Sequence, residues 1–536
     1  MLLYLAFPPA NLWLLAYVAP AAWVLLTRME RLPGHRPYTQ LYLVGGLHWL
    51  VLLQWVRLGH WAAYFGWFAL TLYLACYLPA FVGLTRVAHR RFRVPLIVAA
   101  PTIWVGLEAL RGWLFTGLAI AFLGHTQIHS LQVVQISDLG GAYLVSFLVM
   151  LVASALAELI PLQKIVSADA QHSPTRWWPL PVAALAVLAA FAYGHWRLGQ
   201  TAPTGDRPTA RVALIQGSID TNFYDPTLSR TMLEQYRVLT KIAHREHPDL
   251  MIWPESTMPR QYIDIDRTGN VEKGDWLPQD EAQFQKEINA RDYDFRLEAF
   301  TLGFLEEERH IPLLLGAGTL RLGDHSPQRL NSAIYVDDRG RIADAYHKLH
   351  PVMFGEYAPG GQLFPWIYEL MPFPAGLTAG DEAKSFEIAG LRMCPSICYE
   401  NTVPHLMRRQ VVELRERGIE PDVLVTLSND GWFYGSAELD MHLHCGQFRA
   451  IELRKPALVA ANTGFSAHIA DDGRLLAVGP RRDTDVVIAE VRPGWRESVY
   501  ARWGDVFANA CLIFCLAMAC GGFLARYNPT NRANGE

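Results

Sequence analysis

At 536 residues with 51% hydrophobic content, the chain is too long for one ordinary domain and too apolar for a soluble enzyme of its size. Its net charge of -4, with no long Lys/Arg block, excludes nucleic-acid partners, because neutralising phosphates needs a concentrated basic face. The seven cysteines outline no disulfide framework, and the C-x-x-x-C spacing of Cys394 and Cys398 fits neither a redox pair nor a zinc site, so no metal and no cofactor is expected.

A membrane-crossing helix needs about 20 mostly apolar residues. By that measure spans are expected near 10–27, 38–57, 64–86, 94–115, 140–162, 177–196 and 504–525. The opening 1–9, closed by Pro8-Pro9, lacks the basic start and cleavage site of a signal peptide and is expected as a short or tilted eighth span. Loops retained in the cytoplasm are enriched in Lys and Arg. Arg28, Arg31 and Arg36, then Arg86, Arg90, Arg91 and Arg93, then Lys164 and Arg176 mark three such loops, whereas 116–141 has no Lys or Arg. The expected division is a helical membrane domain of about seven spans over 1–200, an extracytoplasmic domain over 201–500, and a last helix with a cytoplasmic tail over 501–536. Arg526 and Arg532 keep that tail inside.

From 205 onward, short β-branched runs alternate with amphipathic stretches, which predicts a layered α/β domain. Strands are expected at 211–216, 250–253, 312–316, 332–337, 343–348, 385–388, 393–397, 423–427, 457–461, 466–470 and 486–490. Helices are expected at 226–247, 292–309, 403–417 and 438–453.

Three of these strands end on residues with chemistry. The apolar run 251–253 leads through Pro254 into Glu255, a candidate base. Lys348 closes another strand, with Glu356 eight residues on, and is a candidate oxyanion stabiliser. Cys398 closes a third and is followed at once by Tyr399, Glu400 and Asn401; it is the candidate nucleophile. A free thiol of pKa about 8.5 is mostly protonated at neutral pH and needs a base to take its proton. A carboxylate can do so, and an ammonium favours the thiolate and neutralises the oxyanion, to which the Tyr399 backbone N–H is a second candidate donor. Singly, each residue reads as a solvated turn acid, a surface lysine or a core cysteine. It is the order Glu, Lys, Cys, each at the end of an apolar run, that points to one site.

The blocks WPES at 253–256, HKLH at 347–350 with FGEY at 354–357, and ICYEN at 397–401 resemble the signatures of the nitrilase, or carbon–nitrogen hydrolase, superfamily. That resemblance implies an α-β-β-α sandwich and a Glu255, Lys348, Cys398 triad. Spans on both sides of the domain, LAFPPANLW at 5–13, VALIQGSID at 212–220, SNDGWF at 428–433 and QFRAIELRKPALVAANTGFSA at 447–467 are similar to the apolipoprotein N-acyltransferase family in particular. The implied reaction moves an acyl chain from a membrane phospholipid onto the cysteine, then onto the α-amino group of the diacylglyceryl-cysteine of an apolipoprotein, at a bacterial inner membrane with the catalytic domain outside the cytoplasm. By the same resemblance Glu356 supports the lysine, Tyr399 and Glu400 shape the pocket, and Asn331 lies near it. Departures from the pattern are a charged segment at about 261–295, read as an insertion, Tyr224 where the family carries tryptophan, and an early Pro351.

His442, His444 and Cys445 sit at spacings that point to different faces of a helix, which argues against a shared metal. Trp432 and Phe433 either line an acyl or headgroup pocket or pack under a loop. Two other functions share these motifs: a membrane-tethered amidase or nitrilase acting on a small amide, and a non-catalytic scaffold that binds lipoproteins. A hydrolase of soluble substrates needs one anchor at most, and an intact Glu255, Lys348 and Cys398 argues against a scaffold.

Overall fold

The computed structural model describes residues 2–161, 176–201, 207–222, 225–265, 277–278, 280–304, 310–323, 326–361, 363–364, 366–369 and 376–527. Lys164, Tyr224 and Arg532, and the part of the charged segment at 266–276, lie outside them. The chain forms two compact units: Met1–Gln54, Phe65–Thr201 and Ser498–Glu536 in one, Trp55–Tyr64 and Ala202–Glu497 in the other.

The first unit is helical. Among the described residues four helices are long and apolar enough to cross a membrane: Ala63–Arg91, Ser137–Leu159, Pro179–Leu198 and Val506–Leu524, with a shorter apolar helix at Leu15–Arg28. The expected spans at 38–57 and 94–115 correspond to helices Pro37–Leu52 and Leu96–Trp113. Within 1–9 the helix is only Leu2–Leu5. Small residues allow close helix approach, as they must where apolar side chains gain nothing by leaving lipid. A Cβ at Gly106 would lie 2.5 Å from both the Cys511 carbonyl and the Cys515 sulfur. The buried Asp138 receives Arg197 Nη2 at 2.7 Å and the Tyr193 hydroxyl at 2.7 Å, joining helices Ser137–Leu159 and Pro179–Leu198. Removing one partner strands the other charge, at a cost of about 3–5 kcal/mol. Asp138→Ala should therefore lower the unfolding temperature of the detergent-solubilised protein, and an unchanged transition would contradict this role.

Among the described residues the second unit is built on two six-stranded sheets. The first runs β12-β1-β2-β3-β4-β5, with β1 Ala210–Gln216, β2 Leu250–Ile265, β3 Leu313–Leu322, β4 Gln328–Val336, β5 Ile342–His347 and β12 Asp485–Val491. The second runs β11-β10-β9-β8-β7-β6, with β6 Phe386–Ile388, β7 Leu391–Ile397, β8 Val423–Ser428, β9 Ala457–Ala461, β10 Ala467–Ile469 and β11 Leu475–Val478. In each sheet three neighbouring strands are parallel, β1-β2-β3 and β7-β8-β9.

Side chains alternate between the faces of a strand, and both faces here are buried. Val212, Leu214, Ile252 and Leu314 of the first sheet meet Met393, Ile397, Val425 and Leu427 of the second in one core. On the outer face of the first sheet Ala213, Ile215, Met251 and Trp253 pack against α1 Leu228–His244 and α2 Glu281–Gly303 through Tyr236, Leu239, Phe295 and Leu302. Helices α3 Pro404–Glu416 and α4 Glu438–Leu453 pack on the second sheet. The result is a nitrilase-like layering of helix, sheet, sheet and helix.

The charged segment read as an insertion at about 261–295 contributes regular elements: 261–265 completes β2, and 281–295 forms most of α2, where a helix was expected only from 292. That helix begins at Glu281 rather than at 292 because Asp280 caps it, accepting the Gln283 N–H at 2.9 Å. Its face pattern is weak, since its buried apolar residues are few and charges surround them.

Candidate active site

Glu255 leaves the sheet at an irregularity in β2. The register against β3 shifts between Trp253 and Met258, and Ser256 adopts φ 54°. Such a bulge re-aims a side chain that regular pleating would place in the sheet. Gly316 of β3 makes room, because a Cβ there would fall 2.1 Å from the Pro254 carbonyl oxygen and 2.6 Å from Glu255 Cα. Both are backbone atoms that cannot step aside, so Gly316→Ala should displace Glu255 and lower turnover by about a hundredfold, the usual cost of misplacing a reacting group by about 1 Å. Steady-state kinetics on membrane-inserted protein check this.

Cys398 follows directly on β7 and opens a short 3-10 turn, Cys398–Thr402, with φ 51°. A non-glycine residue in that left-handed region costs roughly 1–3 kcal/mol and persists only where its surroundings fix it. Lys348 follows β5, its own N–H bonded to the Asn331 carbonyl at 2.8 Å.

These strand ends converge. Lys348 Nζ donates to Glu255 Oε1 at 3.0 Å and to Glu356 Oε1 at 2.8 Å, and its side chain is only 2% exposed. Asn331 Nδ2 donates to Glu255 Oε1 at 2.7 Å and lies 3.4 Å from Glu356 Oε1. The Asn429 backbone N–H reaches Glu255 Oε2 at 3.1 Å, and the Val352 N–H reaches Glu356 Oε2 at 2.7 Å. One ammonium thus faces two buried carboxylates. Burial works against its charge, but Glu255 and Glu356 outweigh this and hold Lys348 protonated, its pKa well above the ordinary lysine value.

The Cys398 thiol is in the same field. Burial, then Glu255, push its pKa well above the ordinary range, while Lys348 pulls it down. At rest it is a thiol in the field of the Glu255 carboxylate.

Glu400 is wholly buried and braces two loops: Oε1 accepts the N–H groups of Leu349 at 2.7 Å and His350 at 3.0 Å, and Oε2 accepts the Ile397 N–H at 2.7 Å and the Tyr346 hydroxyl at 2.8 Å. Burial lifts its carboxyl to about 7 against those donors. Tyr399, half-buried, stacks on His350 with ring centroids 5.9 Å apart. Trp432, in the turn Asp430–Phe433, lies against Gly59, and the neighbouring Phe433 meets Trp55 edge-on at 5.1 Å.

Sequence reasoning passed over Asn429, Tyr346, Gly316, Asp430 and Glu438, and weighed His442 only with His444 and Cys445. Asn429 and Asp430 lie inside the SNDGWF block, the one signal that could have drawn attention to them. His442 is gathered not with His444 or Cys445 but with the two acids: the potential ligand atoms of Asp430, Glu438 and His442 lie within 4.8 Å of one another, all buried. His442 Nδ1 is 3.0 Å from Asp430 Oδ1, which also accepts the Ser428 hydroxyl at 2.7 Å. His442 Nε2 is 3.1 Å from the Cys398 carbonyl oxygen. Burial disfavours its charge, but Asp430 prevails and raises its pKa to about 9. Burial, then Asp430, hold the Glu438 carboxyl well above the usual range.

Comparison with known proteins agrees along the chain. The model of the apolipoprotein N-acyltransferase N-terminal domain matches residues 1–155, and that of carbon-nitrogen hydrolases matches residues 211–500. A Geobacter metallireducens protein named apolipoprotein N-acyltransferase is 30% identical over 98% of this chain and 94% of its own. Proteins of the same name from Rhodopirellula baltica (28% identical, 94% of this chain and 92% of that one) and Haemophilus ducreyi (28%, 97% and 93%) are also similar. With both parts matched in order and relatives aligned nearly end to end, the chain belongs to the apolipoprotein N-acyltransferase family of the carbon–nitrogen hydrolase superfamily.

Proposed function

We propose that this protein transfers an acyl chain from a membrane phospholipid, through a thioester on Cys398, to the N-terminal α-amino group of the diacylglyceryl-cysteine of apolipoproteins. The observation that carries this reading is the meeting of the buried Glu255 and Lys348 with the half-buried Cys398 in a chain that also holds helices apolar enough to cross a membrane.

In the first half-reaction the sulfur attacks the donor's ester carbonyl as Glu255 takes the thiol proton. Lys348 and the Tyr399 N–H stabilise the oxyanion. The intermediate collapses with cleavage of the ester C–O bond, and Glu255 returns the proton to the departing lysophospholipid. In the second half-reaction the acceptor amine attacks the thioester, Glu255 removes the amine proton, and the C–S bond breaks to regenerate the thiol. Glu356 and Asn331 hold Lys348 and Glu255 in place; Glu400, Tyr399 and Trp432 shape the surroundings.

The membrane setting fits two lipid substrates. A site tethered at the bilayer raises their effective concentration and keeps water from competing for the thioester. The reading includes about eight spans, a membrane domain over 1–200, a catalytic domain over 201–500 outside the cytoplasm of a bacterial inner membrane, and a cytoplasmic C-terminus after 501. The arginine bias of the loops supports that orientation.

Purified protein supplied with acyl-labelled phospholipid and a diacylated lipopeptide tests the reaction. The expected product is the labelled N-acyl lipopeptide. Release of free fatty acid, or of ammonia from a small amide, with no acylated peptide would instead identify a hydrolase.

A further inference from the structure

The group around His442 is unused by the chemistry above, yet it touches the nucleophile's own backbone. His442 Nε2 faces the Cys398 carbonyl oxygen at 3.1 Å, and a carbonyl oxygen only accepts, so Nε2 carries a hydrogen. Nδ1 faces Asp430 Oδ1 at 3.0 Å, and against a carboxylate it too is a donor. Two N–H groups make the ring an imidazolium, which has no lone pair for a metal; the cluster with Asp430 and Glu438 therefore reads as a buried cation held by acids.

That cation grips a strained residue. Cys398 sits at φ 51°, and its C=O belongs to the same planar peptide as the Tyr399 N–H. Fixing the carbonyl at His442 fixes the opposite direction for the N–H, and a charged donor on the oxygen polarises the peptide and strengthens that N–H as a donor. Asp430 in turn is held by Ser428 at the end of β8, so the chain of bonds runs from a strand to the nucleophile's backbone.

We propose that His442 is a positioning residue for acyl transfer: its imidazolium clamps the Cys398–Tyr399 peptide, keeping Cys398 in its left-handed turn and the Tyr399 N–H aimed at the oxyanion. This rests on the reading of Cys398 as nucleophile. Asp430 keeps the imidazolium neutralised, and His442 itself touches no substrate.

The test compares His442→Gln and His442→Leu with wild type in full-length, membrane-inserted protein. It measures thioester formation from labelled phospholipid, and kcat and KM for the lipopeptide. Leucine should lower kcat and the thioester rate by about a hundredfold with KM within about twofold, as for loss of an oxyanion donor. Glutamine, which retains an N–H donor without the charge, should recover about tenfold of that loss. Wild-type thioester rates in the leucine variant, or glutamine no better than leucine, would overturn the clamp. If the leucine variant fails to insert, glutamine decides alone: a kcat about tenfold below wild type with unchanged KM upholds the clamp, and a change confined to KM refutes it. Cys398→Ser run in parallel separates the two levels. An active serine variant overturns the nucleophile, whereas an inactive one beside an unimpaired leucine variant overturns only the clamp.

Discussion

Cys398→Ser should abolish acyl transfer, by at least about a thousandfold, and with it the trapping of a labelled acyl chain on the protein, while membrane insertion stays unchanged. Serine differs by one atom at a position half-open to its surroundings, so the inter-sheet core that Cys398 borders keeps its packing. The chemistry does not survive as well. A hydroxyl holds its proton far more tightly than a thiol, and the carboxylate that would take it is already engaged by Lys348, Asn331 and Asn429. Transfer at the wild-type rate in this variant would remove Cys398 from the mechanism.

Glu255→Gln should block both half-reactions, lowering thioester formation and its discharge by about a hundred- to ten-thousandfold, the range expected on losing a general base. The amide keeps the size of the carboxylate but cannot accept a proton from the thiol or from the acceptor amine. Its effect on folding should be smaller than that of removing the lysine, because Lys348 retains Glu356 at 2.8 Å as a buried counter-charge. Rapid-quench measurement with labelled phospholipid separates the two steps. A normal thioester yield with slow discharge would confine Glu255 to the second step and require another base for the first.

Much of this arrangement was legible because the relevant strands are apolar and end abruptly. β1 and β9 stand within a residue of where alternation and β-branching place them, since both are buried on each face and bounded by polar turns. β11 escaped notice. Its Leu475, Leu476 and Val478 are exposed at a sheet edge, and the hairpin turn Asp472-Gly473 before it was the available signal. The extension of β2 past Pro254 was equally hidden, because two prolines and a run of charges argue against a strand, and only pairing with β3 sustains it.

The chemistry divides in the same way. Glu255, Lys348 and Cys398 announce themselves as polar residues closing apolar runs. The residues that orient them do so through backbone geometry that one-dimensional spacing does not encode. Asn429 acts through its N–H, Gly316 through the side chain it lacks, and His442 through the carbonyl of a residue 44 positions away. The family resemblance singles out Glu400 as a pocket residue, and its four donors also make it a brace between the loops that carry Lys348 and Cys398.

A thioester on Cys398 that passes its acyl group to an amine is tested most directly by intact-protein and peptide mass spectrometry after incubation with phospholipid. The expected result is one hydroxylamine-labile acyl group, localised to the peptide containing Cys398, that disappears when diacylated lipopeptide is added and reappears on its N-terminus. An unmodified Cys398 under conditions where the lipopeptide still becomes acylated would contradict it.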